Sequence, residues 1–143
     1  MLAKIFGRWV PWAELPLRVI IGIVYLYHGI SKITGGPANF AGWLGSMNYP
    51  APTFMTWVVI VGEAVGGALI LAGLWARYAA AFLILEMLVA MFTVHLKNGF
   101  NVFQAGAGYE YNLVLIAALL IILIRGPGKP SVEAAFTTQA LGP

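Results

Sequence analysis

Four long stretches of the chain carry almost only apolar side chains, and short clusters of charge, glycine and proline separate them. They run roughly over residues 14–33, 54–74, 76–96 and 109–124, the scale of the ~20 apolar residues that cross a hydrocarbon core. None alternates like a half-buried strand, and within lipid only a helix satisfies its own backbone without leaving an edge. The pattern predicts an all-α chain folded as a bundle of four transmembrane helices. Trp57 and Trp75 give an internal check. At ~1.5 Å rise per residue they stand ~27 Å apart, the separation of two interfacial aromatic belts.

The connections are unequal. Gly73-Leu74-Trp75-Ala76-Arg77 reads as a tight turn, whereas Thr34 to Thr53 is a longer first external loop punctuated by Gly35-Gly36-Pro37 and Pro50-Ala51-Pro52. Its middle, Asn39 to Leu44, suits a short interfacial helix or a cap over the bundle. A second external loop runs from Lys97 to Gly108, and Gly126-Pro127-Gly128 stops the last helix. The expected organisation is a single membrane domain over residues 1–133 with a short tail over 134–143.

Charge adds a direction. Lys4, Arg8, Arg77, Arg125 and Lys129 fall at one end of the predicted bundle, with Arg18 just inside it as a headgroup anchor; Lys32 and Lys97 fall at the other. Short basic connections stay cytoplasmic, which places both termini inside the cell. Lys4 and Arg8 imitate the start of a signal peptide, but no small-residue cleavage pattern follows the first apolar run, so it reads as a retained span.

Composition then removes whole classes of function. The chain of 143 residues is 61% hydrophobic and 9% charged, against the ~25% charge of ordinary soluble domains, and its mean hydropathy is +0.87. The net charge of +3 is scattered between apolar runs rather than gathered on a soluble face, so nucleic acid is not an expected partner. The absence of cysteine excludes disulfides, thiol relays, iron–sulfur clusters and c-type haem attachment. Aspartate is absent too, which leaves five glutamates as the whole acidic complement.

The candidate chemistry begins at Tyr27-His28-Gly29-Ile30-Ser31-Lys32, where His28 and Lys32, four residues apart, share one side of the first helix. Glu63 lies ~13 Å along the second span, where a carboxylate must be paired or protonated. Gly62, Gly66 and Gly67 beside it let another helix approach closely. His95 and Glu110 fall near the external ends of the third and fourth helices, so a compact bundle gathers His28, Lys32, Glu63, His95 and Glu110 in its outer half. Each hairpin thus carries a His on its outgoing helix and a Glu on its returning one, a weak internal echo. Each residue also has a plainer use: Lys32 as an interfacial anchor, His28 as a hydrogen-bonded core histidine, Glu63 as a packing partner.

As a set they suit a quinone headgroup, with Glu63 and His28 handling protons and all five contributing contacts. Walls can come from Tyr25, Tyr27, Phe92, Phe103, Tyr109 and Tyr111. No Glu-x-x-His pair supports a metal, and a b-type haem between His28 and His95 ranks lower still, so no metal ligands are assigned. Glu86 stands apart. It lies nine residues from His95, about half a turn round a regular helix, so both cannot face one cavity unless the helix is distorted. It either meets a partner or lines the bundle while His95 faces the loops.

These residues resemble the DoxX family. The resemblance rests on His28-Gly29-x-x-Lys32, Gly62-Glu63-x-x-Gly66-Gly67, Gly73-Leu74-x-x-Arg77, His95, Glu110 and Gly126-Pro127-Gly128-x-x-Ser131-Val132-Glu133, in order, over roughly Leu17 to Glu133. It implies a small four-helix integral protein of a prokaryotic inner or plasma membrane, related to the membrane subunit of a thiosulfate–quinone oxidoreductase. The expected function is therefore a membrane subunit of an oxidoreductase system that binds a quinone, with the lipid bilayer and either other subunits or further copies of itself as partners. The chain has no redox centre of its own in view, so electrons must come from another subunit or a small reductant. The competing reading is a non-catalytic anchoring or assembly subunit; transport ranks last.

Overall fold

The structure is a computed structural model that describes residues 5–103 and 105–140, with side chains through residue 136. Lys4, which entered the charge reading, and the two ends of the expected domain and tail (1–4 and 141–143) lie outside the described residues. Secondary structure among the described residues is entirely helical. A 3-10 turn, Gly7–Trp12, leads into α1 (Glu14–Thr34), followed by α2 (Pro37–Ser46), α3 (Pro52–Ala72), α4 (Ala76–Ala90), α5 (Glu110–Arg125) and α6 (Val132–Ala140). Helix α4 is prolonged by a π turn, Met91–His95, and a 3-10 turn, Leu96–Asn98. Three continuous helical stretches are long and apolar enough to cross a membrane: Gly7–Thr34, Pro52–Ala72 and Ala76–Asn98.

Local sequence explains the punctuation. Pro37 and Pro52 occupy first-turn positions, where a missing amide costs nothing. Gly73, at φ +66°, ends α3 in the left-handed region, with Leu74 N–H donating to Leu69 O (3.0 Å) and Gly73 N–H to Ile70 O (3.1 Å). The loop between α1 and α3 folds in its middle into α2, as the stretch Asn39 to Leu44 suggested.

Helix α1 packs most extensively along α3, and α4 along α5. The first crossing depends on absent side chains. A Cβ at Gly67 would stand 2.5 Å from the Leu26 amide nitrogen, and one at Gly29 would stand 2.5 Å from that of Ala64. Gly62 and Gly66 face the other way, under Phe82 and Leu83 of α4. The close approach beside Glu63 is thus made by Gly67 with Gly29, not by the Gly62/Gly66 pair.

The bundle is packed unevenly along its length. Around Ile21, Tyr25, Ile70, Ala80, Leu83, Leu115, Leu119 and Ile122 it is solid core. Below that core lies a polar knot. Arg18, 3% exposed, donates to Pro127 O (2.7 Å) and Pro130 O (2.5 Å), and buried Glu14 pairs with Arg125. Glu133 accepts from the first amide of α4, Ala76 N (3.1 Å), while its own N–H donates to Gly73 O (3.1 Å). Arg18 was expected to anchor a headgroup; it is instead buried against the segment that leaves α5, whose carbonyls accept from both of its terminal nitrogens. On the flanks, Ile20, Ile23, Val61, Val65, Leu85, Ile121 and Ile124 are exposed, as in a helix bundle whose solvent is lipid.

Candidate functional site

Toward the Lys32 end the helices part around a cavity of about 400 Å³, within the range of small-molecule sites. His28, Lys32, Glu63 and His95 all line it. Their convergence follows from three different elements. His28 and Lys32 are one turn apart on α1, Glu63 sits on the buried face of α3 with Ile60 and Gly67, and His95 closes the π turn after α4.

Lys32 and Glu63 are joined directly, Nζ to Oε2 at 2.5 Å, and both are largely buried. An ammonium and a carboxylate removed from water hold each other's charge only with good geometry, and loss of either leaves the other uncompensated. Lys32 therefore belongs to the floor of the cavity rather than to a snorkelling surface anchor. Its Nζ also lies 5.4 Å from the Phe40 ring, which stacks on Trp43 at 5.4 Å. Helix α2 thereby lays two aromatic rings over the charged pair, and both rings line the cavity.

Glu86 lines the same cavity as His95. The distortion that this requires is present. Across Met91–His95 the bonding shifts to i→i+5, as in Leu96 N–H to Met91 O, so the helix takes up one residue more than an α-helix would. Nine residues then turn through the angle of about eight, roughly 80° from a full number of turns rather than 180°. Thr93 in this turn donates to Val89 O (2.6 Å) and is bonded to Tyr49, which ties the turn to the loop after α2. The His95 ring holds the loop between α4 and α5 through Nδ1 and Ala107 O (2.9 Å), and Asn98 Nδ2 donates to Gly106 O (2.8 Å).

Glu110 is placed elsewhere. Its Oε1 accepts the Val102 amide (2.9 Å), and it borders a separate shallow pocket with Phe100 and Leu113. The echo between the two hairpins therefore breaks at this residue. Of the aromatics picked out in the sequence, Tyr25 and Tyr111 line the cavity; Tyr27, Phe92 and Phe103 are exposed at 68%, 64% and 92%. The remaining ring walls come from Phe40, Trp43, Tyr49 and Phe82, and Asn112 is a further polar lining residue. Sequence reasoning missed Asn112, though an asparagine on the buried face in the first turn of an apolar helix is itself a signal.

The cavity is otherwise walled by Val24, Val58, Val59, Leu85 and Val89. Phe82, Leu85 and Val89 on the flank of α4 line it and are at the same time exposed, as are Trp43 of α2 and Tyr111 of α5, so it reaches the bundle surface on more than one side. Chemically, it offers an apolar chamber with one buried ion pair, two imidazoles, a second carboxyl and an opening where lipid would be.

The comparisons with known proteins agree on family. The chain is 36% identical over 110 residues to "Putative oxidoreductase CatD" of Bacillus subtilis, covering 76% of each chain. It is 31% identical over 121 residues to the inner membrane protein YqjF of Escherichia coli, covering 83% of this chain and 88% of that one. An uncharacterized membrane protein of Mycobacterium tuberculosis is 28% identical over 138 residues, covering 91% and 85%. No solved structure is a significant match. The DoxX family model matches residues 13–96, which include every spanning helix that carries His28, Lys32, Glu63, Glu86 and His95, and the chain is a membrane protein of the DoxX family.

Proposed function

We propose that this protein is an integral membrane subunit of an oxidoreductase system and that its cavity binds a quinone headgroup. The observation that carries the reading is the Lys32–Glu63 pair set in a chamber that is otherwise apolar and opens toward lipid. A lipid-soluble ring with two oxygen acceptors needs hydrophobic walls, a few placed donors and access from the bilayer. His28, Lys32, Glu63 and His95 give the chamber its charged and titratable lining in this reading, while Glu110 serves the external loop. A bound quinone supplies acceptance of electrons together with protons; the protein's part is to hold the ring, to exclude water beneath the Phe40/Trp43 cover and to keep titratable groups beside it. Electrons arrive from a partner subunit or a small reductant. The relative from Bacillus subtilis carries "oxidoreductase" in its name, which supports this class of activity.

In the same reading α5, 16 residues without a charge between Glu110 and Arg125 and packed along α4, is the fourth span. The domain runs over residues 1–133, the tail follows it, and the basic Arg18 end faces the cytoplasm of a prokaryotic cell with both termini inside. Native mass spectrometry of the detergent-extracted protein tests the function, since it reports bound isoprenoids and partner subunits together. A retained or titratable quinone is expected. Failure of both, with stoichiometric capture of an intact enzyme whose activity survives Glu63→Gln, would replace this reading with an anchoring subunit.

A further inference from the structure

Lys32, Glu63 and His95 in the cavity already have partners, which raises the question of what a ligand would bond to. Glu63 Oε2 is taken by Lys32, and His95 Nδ1 is taken by the Ala107 carbonyl. Two cavity oxygens are different. Tyr25 is 1% exposed and its hydroxyl has no hydrogen-bond partner; Glu86, whose carboxyl also hydrogen-bonds that of Glu63, keeps its Oε2 equally shut from solvent and without a partner. Both residues line the chamber. A buried polar atom without a partner forfeits its hydration and gains nothing in return, so a native fold keeps one where something else completes it. Neither oxygen is stranded by poor packing. Tyr25 belongs to the solid core, and Glu86 is carried to the cavity by α4 just before the π turn.

The geometry points to Tyr25 and Glu86 as the two groups that hydrogen-bond the polar ring of the ligand, with Glu63 reserved as the counter-ion of Lys32. This rests on the quinone reading of the cavity and deepens it. The ligand class follows from the surroundings. Two hydrogen-bonding side chains deep in an apolar chamber, entered past Phe82, Leu85 and Val89 on the lipid-facing flank, fit a flat ring that bears two oxygens and trails an apolar chain. They do not fit a water-soluble substrate, which would not cross that flank.

The test is titration of the purified full-length protein in detergent with ubiquinone bearing one isoprene unit, followed by quenching of tryptophan emission, since Trp43 lines the cavity. Tyr25→Phe removes one oxygen and nothing else; Glu86→Leu removes the carboxyl. Each is expected to weaken binding about five- to tenfold, the scale of one lost hydrogen bond, with an unchanged gel-filtration profile. Glu86→Gln, which keeps a donor at the same place, recovers most of the loss. Glu63→Leu/Lys32→Met, which removes the ion pair as a unit, weakens binding less than either. If Tyr25→Phe and Glu86→Leu bind as the parent does, or if only one of them is affected, the two-point assignment is overturned and the quinone reading stands. If the parent binds no quinone, both fall together.

Discussion

Glu86 and His95, nine residues apart on one helical rod, line the same cavity because the π turn at Met91–His95 absorbs a residue between them. An uninterrupted α-helix would have set them on opposite faces. Deleting Phe92, which is 64% exposed and lines no cavity, removes the extra residue. Straight α-helical bonding then leaves Glu86 and His95 about 80° apart, on one side still. The expected result is slower amide exchange over residues 91–96 with quinone affinity within about threefold of the parent, since π bulges are held at a cost for what they position. A collapse of binding in the deletion would mean that the turn itself, and not the angle, is required.

The Lys32–Glu63 pair sets the second prediction. Lys32→Met leaves a buried carboxylate without its ammonium and should cost about 3 kcal/mol, whereas Lys32→Met/Glu63→Leu should recover most of that. Thermal unfolding in detergent measures the double-mutant cycle. Additive losses in the two single variants would show that the pair is not coupled.

At the opposite end, Arg18 holds the carbonyls of Pro127 and Pro130. Arg18→Ala strands both and should cost about 2 kcal/mol. It should also expose the segment after Gly126 to protease several times faster. Quinone titration should be unchanged, because Arg18 lies beyond the solid core from the cavity. Equal protease resistance in variant and parent would assign the anchoring to Glu14–Arg125 and Glu133 instead.

Helix α1 and α3 cross where a side chain has no room. Gly67→Ala puts a Cβ 2.5 Å from backbone, and neither helix can yield without opening the crossing. A loss of about 2 kcal/mol is expected. Gly42→Ala, where nothing lies within 4 Å, should stay within about 0.5 kcal/mol. Comparable melting temperatures for the two would contradict the packing described here.

His95→Ala tests the tether of the loop between α4 and α5. It removes the bond to Ala107 O, so amides over residues 106–108 should exchange about fivefold faster, the equivalent of one hydrogen bond. Unchanged exchange would leave the tether to Asn98 and to the Gly108 N–H bond with Asn101 O.

The apolar runs alone announced a helical membrane protein, since mean hydropathy over a span is a property of composition and needs no partner. The ends of the helices were legible as well, because Pro37, Pro52 and Gly73 act on their own backbone. So was the convergence of His28 and Lys32, which one helical turn dictates. Other positions were legible only by type. Glu63 was visibly costly in lipid, but nothing in the chain said that Lys32, 31 residues earlier, would answer it. Glu110 had the same residue type, yet a loop amide claims it.

What remained was decided by tertiary structure for a geometric reason. Periodicity assumes a constant 100° per residue, and one π turn invalidates it for everything beyond Met91. Which glycine faces which neighbour, and whether Arg18 meets headgroups or carbonyls, depends on where a second element lies. The sequence determined the solvent, the helices and the inventory of ionisable groups. The packing alone decided which of those groups meet across the bundle, and which two cavity oxygens are left without a partner.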